Sequence, residues 1–341
     1  MSRPRPLTRV ALVATSAVVP VLLLSGCASN VTEAGSGSAA PTATAASGYP
    51  LTLDNCGTSV TVAAAPTRIL TVKSSTTELL LALGLGEKIV GSAFLDGPLP
   101  DALTAQHGGA TLNVVSDFLP SQEAALALTP DFIYGGWESN FSADGVGERD
   151  QLAGMGVGSY VSPAACKEDG YAPDPLTFDT VFAEITEAGA IFGAPEAAAE
   201  LVTSQQAELD ALVPAADAPT ALWYSSGTDT PYVGAGIGSP EMIMSAAGLT
   251  NIFADVHDSW TSVGWESIVE ADPSVIVLVD ASWNTAASKI ATLETSPATQ
   301  GLSAVKSKRY IVLPFASTEA GTRNVEAAAS IVEQLAGFGG K

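Results

Sequence analysis

Two stretches of this sequence share one plan: Glu123-Ala-Ala-Leu-Ala-Leu-Thr-Pro130-Asp131-Phe-Ile-Tyr134 and Glu266-Ser-Ile-Val-Glu-Ala-Asp-Pro273-Ser274-Val-Ile-Val277. In each, a glutamate opens a short helical pattern, a proline seven residues later ends it, and an apolar run typical of a buried strand follows. A second, looser pair occurs in the same order, Glu78 to Gly84 and Glu241 to Gly248. Two repeated patterns that occur in the same order along the chain predict two similar α/β lobes.

The residues before the first stretch have the pattern of a strand, a helix and a second strand. Residues 68–72 and 89–94 are short apolar, β-branched runs, as in buried strands. Between them, Ser75-Thr-Thr-Glu78 has the pattern of a capping box that begins a helix, and Gly84 ends that helix. This alternation is typical of a parallel sheet covered by helices.

The middle of the chain predicts a helical connection between the lobes. Within residues 178–213, apolar side chains such as Val181, Ile185 and Ala188 recur at helical spacing, and good helix formers follow. One or two helices there would form a stiff link that permits small lobe movements. Further strands are predicted at residues 221–224, 275–279 and 310–313. The expected fold class is α/β, with two Rossmann-like lobes (51–176 and 215–341) joined by a long α-helix (177–214) and a ligand cleft between them.

The N-terminus has the plan of a secretory signal peptide. Three arginines precede an apolar run over residues 10–24, and Leu24-Ser-Gly-Cys27 resembles a bacterial lipobox. That resemblance implies removal of residues 1–26 and a lipid on Cys27, hence anchoring on the extracytoplasmic face of the cell membrane. Residues 27–50, rich in Ala, Ser, Gly and Thr, are predicted to be a flexible tether.

The net charge bears on which partners the chain can bind, and its cysteines bear on whether it contains a disulfide. The formal net charge is −22, and so acidic a chain repels the phosphates of nucleic acid. We interpret the acidity as serving the solubility of the protein. Besides Cys27 the chain has Cys56 and Cys166, and two thiols in an extracytoplasmic compartment favour a disulfide over free cysteines. We expect a monomer with no nucleic-acid partner.

A family resemblance rests on several motifs that span nearly all of residues 51–335. They are Pro66-Thr-Arg68-Ile-Leu, Glu78-Leu-Leu-Leu-Ala-Leu-Gly84, Gly248-Leu-Thr-Asn251-Ile-Phe253 and Trp265-Glu266 with Pro273. Together with the first stretch they resemble the helical-backbone class of ABC-importer substrate-binding proteins, which take up ferric siderophores, cobalamin and haem. The resemblance implies an ABC permease and its ATPase as partners. It also implies that one surface glutamate per lobe pairs with permease arginines, at the positions of Glu123 and Glu266. The same carboxylates also complement helix dipoles.

Two motifs resemble a narrower actinobacterial subgroup of lipoproteins. They are Trp223-Tyr-Ser-Ser-Gly-Thr-Asp-Thr-Pro-Tyr232 and Asp280-Ala-Ser-Trp283. Members of that subgroup are assigned by analogy to a deazaflavin coenzyme precursor. The resemblance therefore implies a phosphorylated deazaflavin as an alternative ligand, beside the ferric siderophore or cobalamin-like chelate that we expect first.

Candidate ligand-binding residues follow from the rule that ligands meet the loops beyond the carboxyl ends of the strands. The rule selects Lys73, Ser74, Ser75, Phe94, Trp137, Tyr224, Tyr232, Trp260, Trp283, Phe315 and Arg323. The aromatic faces could stack on a flat or macrocyclic ligand, or serve only as packing. Arg323 could clamp a carboxylate or phosphate, or form a surface ion pair. Ser74 and Ser75 could bind an anion or cap a helix.

Other functional classes lack their motifs. The only histidines, His107 and His257, stand apart from any ligand cluster, so we expect no metal site and no resident cofactor. Haem needs one axial ligand, and His107, His257 or Tyr232 could provide it. The chain has no GxSxG, no Walker motif and no GxGxxG between a strand and a helix. A secreted α/β hydrolase is therefore a distant alternative, and the expected function is non-enzymatic capture and delivery of a small molecule.

Overall fold

The computed structural model describes residues 48–106 and 112–338. The predicted signal peptide, most of the predicted tether with Cys27, and His107 lie outside these residues. Among the helices that the structure describes, none combines the length and the apolar character that a bilayer crossing requires.

The first parallel sheet has the strand order β5-β4-β3-β6-β7. Its strands are β3 (Ile69–Val72), β4 (Ile89–Ala93), β5 (Val114–Ser116), β6 (Phe132–Gly135) and β7 (Gly158–Val161). Its helices are α1 (Ser74–Ala82), α2 (Asp101–Gln106), α3 (Gln122–Ala127) and α4 (Arg149–Gly154). An antiparallel hairpin, β1 (Leu51–Asn55) and β2 (Thr58–Val62), precedes the sheet. We call this sheet, its helices and the hairpin the first lobe.

The second sheet repeats the plan with an antiparallel extension. Strands β8 (Thr220–Ser226), β12 (Val275–Asp280) and β13 (Tyr310–Pro314) are parallel neighbours, and the short β10 (Thr250–Asn251) pairs with β8. Strands β9 (Tyr232–Gly234) and β11 (Trp260–Ser262) continue the sheet in antiparallel fashion. The helices are α7 (Ser239–Ala246), α8 (Trp265–Ala271), α9 (Ala286–Thr295), α10 (Ser303–Lys306) and α11 (Asn324–Phe338). We call this second sheet with its helices the second lobe.

The echo in the sequence corresponds to equivalent elements. Helices α3 and α8 each contain the glutamate of the repeated stretch in their first turn, and β6 and β12 follow the two prolines. Helices α1 and α7 likewise correspond to the looser pair. The predicted α/β fold with two lobes is confirmed.

The connection between the lobes is helical but divided. Helices α5 (Phe178–Phe192) and α6 (Pro195–Asp210) pack against each other and are separated by Gly193, which has a left-handed backbone (φ 77°). Gly189 allows this close packing, because a Cβ there would lie 2.4 Å from the Cβ of Ala198. Of the one or two helices predicted for this connection, two are present, since the left-handed glycine ends the first and Pro195 begins the second.

The predicted capping box at the start of α1 is wrong. The N-cap residue is Lys73, and Thr76 and Thr77 lie inside the helix, where their hydroxyls donate to the carbonyl of Lys73. Glu78 is buried and turns toward the second lobe instead of reaching back to the helix start. The helix begins at Ser74, immediately after its N-cap, so all four residues of the predicted box lie inside the helix and none of them can cap it.

One apolar core runs through both lobes. Its largest cluster includes Ile69 and Phe132 of the first lobe, Ile185 of α5, and Trp223 and Val275 of the second lobe. Each sheet also has a smaller cluster of its own on its other face. The two sheets are therefore separate, but they share the core that α5 and α6 help to fill.

Candidate functional site

A cavity of about 590 Å³ lies beyond the carboxyl ends of the parallel strands of both sheets. Residues shortly after β3, β6 and β7 reach it from the first lobe, and the end of β8 and residues shortly after β12 and β13 reach it from the second. Its volume is in the usual range for ligand sites, and its position is the one that α/β sheets commonly use.

The cavity is lined by aromatic rings. Tyr232 and Trp260 are stacked with ring centroids 6.0 Å apart and planes 14° from parallel. Trp283, which is 63% exposed, meets Phe315 edge to face at 5.9 Å. Trp137 faces them from the first lobe. Large exposed rings of this kind offer apolar area at low entropic cost.

The polar lining consists mostly of hydroxyl groups. Seven serines contribute, namely Ser75, Ser139, Ser162, Ser225, Ser226, Ser239 and Ser259. Among the described residues the charged lining is one exposed lysine, Lys167, and one carboxylate, Glu319. The cavity therefore offers hydrogen bonds without a strong excess of either charge.

The buried ammonium group of Lys73 lies against the aromatic rings on the side that faces away from the cavity. Lys73 is 1% exposed, forms an ion pair with Asp96, and holds its Nζ 3.7 Å from the ring centroid of Trp137. Phe94 and Phe315 are also within cation–π range of this Nζ. Gly136 is required here, because a Cβ would lie 2.8 Å from the Cβ of Lys73.

Six of the predicted ligand residues line the cavity: Ser75, Trp137, Tyr232, Trp260, Trp283 and Phe315. The other five, Lys73, Ser74, Phe94, Tyr224 and Arg323, are not part of the lining. Ser74 exchanges hydrogen bonds with Asp96, and the Tyr224 hydroxyl donates to the carbonyl of Gly227 at 2.7 Å. Burial raises the pKa of Tyr224 to about 12, in keeping with a structural phenol.

Arg323 is engaged within the protein. Its Nε donates to Glu78 at 2.6 Å, a second nitrogen donates to the same carboxylate, and that nitrogen also donates to the carbonyl of Pro98. Both side chains are largely buried, at 11% and 1% exposure. Of the two alternatives for Arg323, an ion pair is the one present, but it is buried and joins the two lobes.

A further polar contact joins the lobes beside the cavity. The indole N–H of Trp137 donates to Glu319 at 2.7 Å. Burial raises the pKa of Glu319, although the charge of Lys73 and this hydrogen bond oppose the shift. The strand-end rule covers the run from Phe315 to Arg323, but sequence reasoning did not single out Glu319 within it, because no periodicity marks that residue.

Sequence reasoning also missed one wall of the cavity. Residues 162–176 follow β7 and contribute Ser162, Cys166, Lys167 and Leu176 among others to the lining. The available signal was the strand-end rule applied to β7 (Gly158–Val161), which was not predicted as a strand because its first two residues are Gly and Ser. We call residues 162–176 the wall segment.

The haem alternatives differ in position. Tyr232 lines the cavity and is 40% exposed, whereas His257 is outside the lining and contacts Asp174 at 3.2 Å. Across residues 48–106 and 112–338, no cluster of three His, Cys, Asp or Glu residues is arranged to hold a metal ion. Tyr232 is thus the described candidate that could approach a bound ring system.

A buried carboxyl lies behind the cavity between α5 and the first sheet. Glu184 accepts a hydrogen bond from the Tyr134 hydroxyl at 2.8 Å. Burial raises the pKa of Glu184 to about 7 and the nearby Glu187 adds to this, whereas the neighbouring Ser162 hydroxyl and the hydrogen bond from Tyr134 oppose it. Because Ser162 also lines the cavity, this carboxyl is one residue away from the ligand space.

Glu184→Gln is expected to make the protein less sensitive to alkaline pH. The folded state binds the Glu184 proton more tightly than the unfolded chain, so this contribution to stability is complete below about pH 4.5 and is lost as pH rises through about 7. The wild type should lose about 3 kcal/mol relative to the variant between pH 4.5 and 8. Urea unfolding across that pH range measures this difference in the free energy of unfolding, and the substitution Glu196→Gln at an exposed position is the control. Parallel curves of stability against pH for wild type and Glu184→Gln would contradict the prediction.

The two glutamates of the repeated stretches are both on the surface. Glu123 and Glu266 are exposed, each in the first turn of a short helix, one in each lobe. The two cysteines outside the signal region form a disulfide, Cys56 to Cys166, which is the pairing that the sequence favours.

Comparison with known proteins gives this architecture a family. The profile of the "Periplasmic binding protein" family matches residues 69–316. A vitamin B12-binding protein of Yersinia pestis (strain Pestoides F) is 28% identical over 221 residues, which cover 63% of this chain and 70% of that protein.

Solved structures agree on the fold. A periplasmic binding protein from Veillonella parvula superposes with a TM-score of 0.72 at 24% identity, covering 84% of this chain and 97% of the other. A protein from Saccharomonospora viridis, described as an ABC-type Fe3+-hydroxamate transport system, gives a TM-score of 0.70 at 25% identity, covering 84% and 99%. These relatives are binding or transport proteins rather than enzymes. With two lobes, a cavity between their strand ends and a family match over most of its length, the chain belongs to the periplasmic binding protein family.

Proposed function

We propose that this protein is the lipid-anchored, extracytoplasmic substrate-binding component of an ABC importer, and that it captures a bulky chelate of low net charge. A ferric trihydroxamate siderophore or a cobalamin-like corrinoid is the ligand class. The protein binds and delivers the ligand without covalent chemistry. The lipobox-like run ending at Cys27 supports the anchor, and the family supports the extracytoplasmic location.

The observation that carries the ligand class is the chemistry of the cavity lining. Aromatic rings and serine hydroxyls dominate it, and its charged groups among the described residues balance as one lysine and one glutamate. A strongly anionic ligand would require cations that this lining does not concentrate. A relative named for vitamin B12 and a neighbour named for Fe3+-hydroxamate transport support the same class.

Two other ligands have specific observations in their favour. The stacked pair Tyr232 and Trp260 suits a flat ring such as a phosphorylated deazaflavin, with Lys167 as its phosphate partner. The Tyr232 phenol at the cavity suits an axial haem ligand, and several structural neighbours are described as haem-binding proteins. These ligands are outcomes of the same test.

The test is binding by the full chain, purified in mild detergent, to four probes: ferrioxamine B, cyanocobalamin, haemin and a phosphorylated deazaflavin. Quenching of tryptophan fluorescence reports binding, because three tryptophans line the cavity. We expect ferrioxamine B or cyanocobalamin to bind with a Kd of about 1 μM or lower. Tight binding of haemin or the deazaflavin alone would overturn the ligand class, and binding of none would overturn the proposed function.

Trp137→Ala and Trp283→Ala are each expected to weaken binding of the preferred probe about tenfold to a hundredfold. Both rings present apolar area to the cavity, one from each lobe. Calorimetric titration measures the loss, and Phe118→Ala serves as control, because Phe118 is 76% exposed and outside the lining. Unchanged affinity in both tryptophan variants would remove these rings from the site.

A further inference from the structure

The wall segment has little internal structure to hold its position. Residues 162–176 contain one short 3-10 turn, Pro163–Ala165, and one hydrogen-bonded turn at 168–172, and otherwise consist of bends and loop. Eight of their side chains or backbones face the cavity, which is a third of the whole lining. Whatever fixes this segment therefore also fixes the shape of a third of the cavity.

The turn of the β1–β2 hairpin is itself firmly attached to the first lobe. The Asn55 side chain donates to the carbonyl of Val161 and accepts from its amide, both at 2.8 Å. The guanidinium of Arg149 donates to the Asn55 carbonyl at 2.7 Å and to its side-chain oxygen at 2.8 Å. Asn55 is 2% exposed, so these bonds are shielded from water. The turn is thus a fixed point at the end of β7.

Two ties connect this fixed point to the wall segment. Cys56 is bonded to Cys166, which lines the cavity. The Tyr171 hydroxyl donates to Asp54 at 2.6 Å, and its ring lies against Gly57. The disulfide joins positions 110 residues apart, so local chain connectivity does not supply this contact.

The residue type at position 56 is unfavourable for the turn alone. Cys56 and Gly57 both have positive φ, 51° and 74°, as in the two-residue turns that favour Asn and Gly. A cysteine in the left-handed region costs conformational free energy that those residues would avoid. Its benefit must come from the disulfide and from what the disulfide holds. The hairpin also precedes the family match, which begins at residue 69.

We propose that the hairpin turn, through Asn55 and the Cys56–Cys166 disulfide, is a positioning element of the ligand cavity. Neither Asn55 nor Cys56 lines the cavity, and both act through the wall segment. Opening the disulfide frees the wall segment and weakens ligand binding while the two sheets stay folded. The affinity part of this inference rests on the proposed function, whereas the effect on the wall segment does not.

The experiment compares the full chain with the Cys56→Ser/Cys166→Ser double variant and with wild type reduced by a phosphine after folding. Hydrogen exchange of peptides within residues 162–176 is read beside peptides from β4. Affinity for ferrioxamine B and cyanocobalamin is measured on the same samples. Leu293→Ala is the control for lost stability, because Leu293 is buried in the second lobe and outside the lining.

Opening the disulfide should speed exchange in the wall segment about tenfold or more, with β4 unchanged, and should weaken probe binding about tenfold. Leu293→Ala should leave wall exchange and affinity within about twofold. Unchanged wall exchange in both opened forms would overturn the proposal, as would faster exchange with unaltered affinity for a probe that wild type binds. If wild type binds neither probe, the proposed ligand class fails by itself, and wall exchange alone then decides the role of the turn.

Discussion

Replacing Arg323 by methionine is expected to lower the free energy of unfolding by about 3–5 kcal/mol at neutral pH. The change leaves Glu78, which is 1% exposed, without its bidentate partner at the junction of the lobes. A buried carboxylate that has lost its cation bears its full desolvation penalty, whereas the intact pair offsets much of it. Urea unfolding followed by circular dichroism measures the loss.

The pH dependence of this loss separates charge from packing. Burial already raises the pKa of Glu78, and Arg323 opposes that shift, so removing Arg323 raises the pKa further. A raised folded-state pKa means that stability is lost as pH increases through it. The penalty of Arg323→Met should therefore shrink as pH is lowered toward 5.

A double variant provides the control for Arg323→Met. Glu78→Leu/Arg323→Met replaces both charges with apolar groups and should recover most of the stability, because no unpaired charge remains. A single-variant loss below about 1 kcal/mol would contradict a desolvated pair, since exposed ion pairs contribute in that range.

The second large effect is expected in transport rather than in folding. Glu123→Arg/Glu266→Arg should reduce uptake in whole cells to the level of a strain without the protein, while ligand binding stays unchanged. The prediction rests on the proposed importer role, in which one exposed carboxylate per lobe meets a basic permease surface. Like charges brought together at a docking surface cost several kcal/mol, which is more than about a hundredfold in productive encounters.

A matched pair of substitutions controls for net charge. Glu196→Arg/Glu200→Arg makes the same change on exposed positions of α6 and should leave uptake near normal. Uptake assays with the radiolabelled preferred probe, beside the Kd of each purified variant, decide the matter. Normal uptake in the Glu123/Glu266 variant would refute docking through these glutamates and leave helix-dipole complementarity as their role.

The fold could be predicted because its signals are local and repeated. The run from Glu123 to Tyr134 contains a helix, a proline stop and a buried strand within twelve residues, and its echo at Glu266 doubles the information. The start of α1 was mispredicted for a related reason. Ser, Thr and Glu at capping spacing are a local pattern, but Glu78 is claimed by Arg323, which is 245 residues away.

The site was predictable only in part. The strand-end rule selected the aromatic rings that surround the cavity, because residues that follow the carboxyl ends of parallel strands lie at the edge of the sheet where the cavity is. It did not distinguish residues that face the cavity from those one layer behind, such as Lys73 and Tyr224. For Lys73 that distinction depends on its positive φ and on its ion pair with Asp96, and for Tyr224 on its hydrogen bond to the carbonyl of Gly227, all of which belong to tertiary structure. The wall segment was missed because β7, which leads into it, was not predicted as a strand.

The shared core has a consequence for how this architecture can be divided. Side chains from the first sheet, from α5 and from the second sheet fill one continuous apolar volume. Neither half is therefore an independently folding domain. Cutting the chain at the connecting helices would leave each piece with a large apolar surface exposed to water. Engineers who wish to exchange specificity between relatives should transplant loops at the strand ends and leave the halves joined.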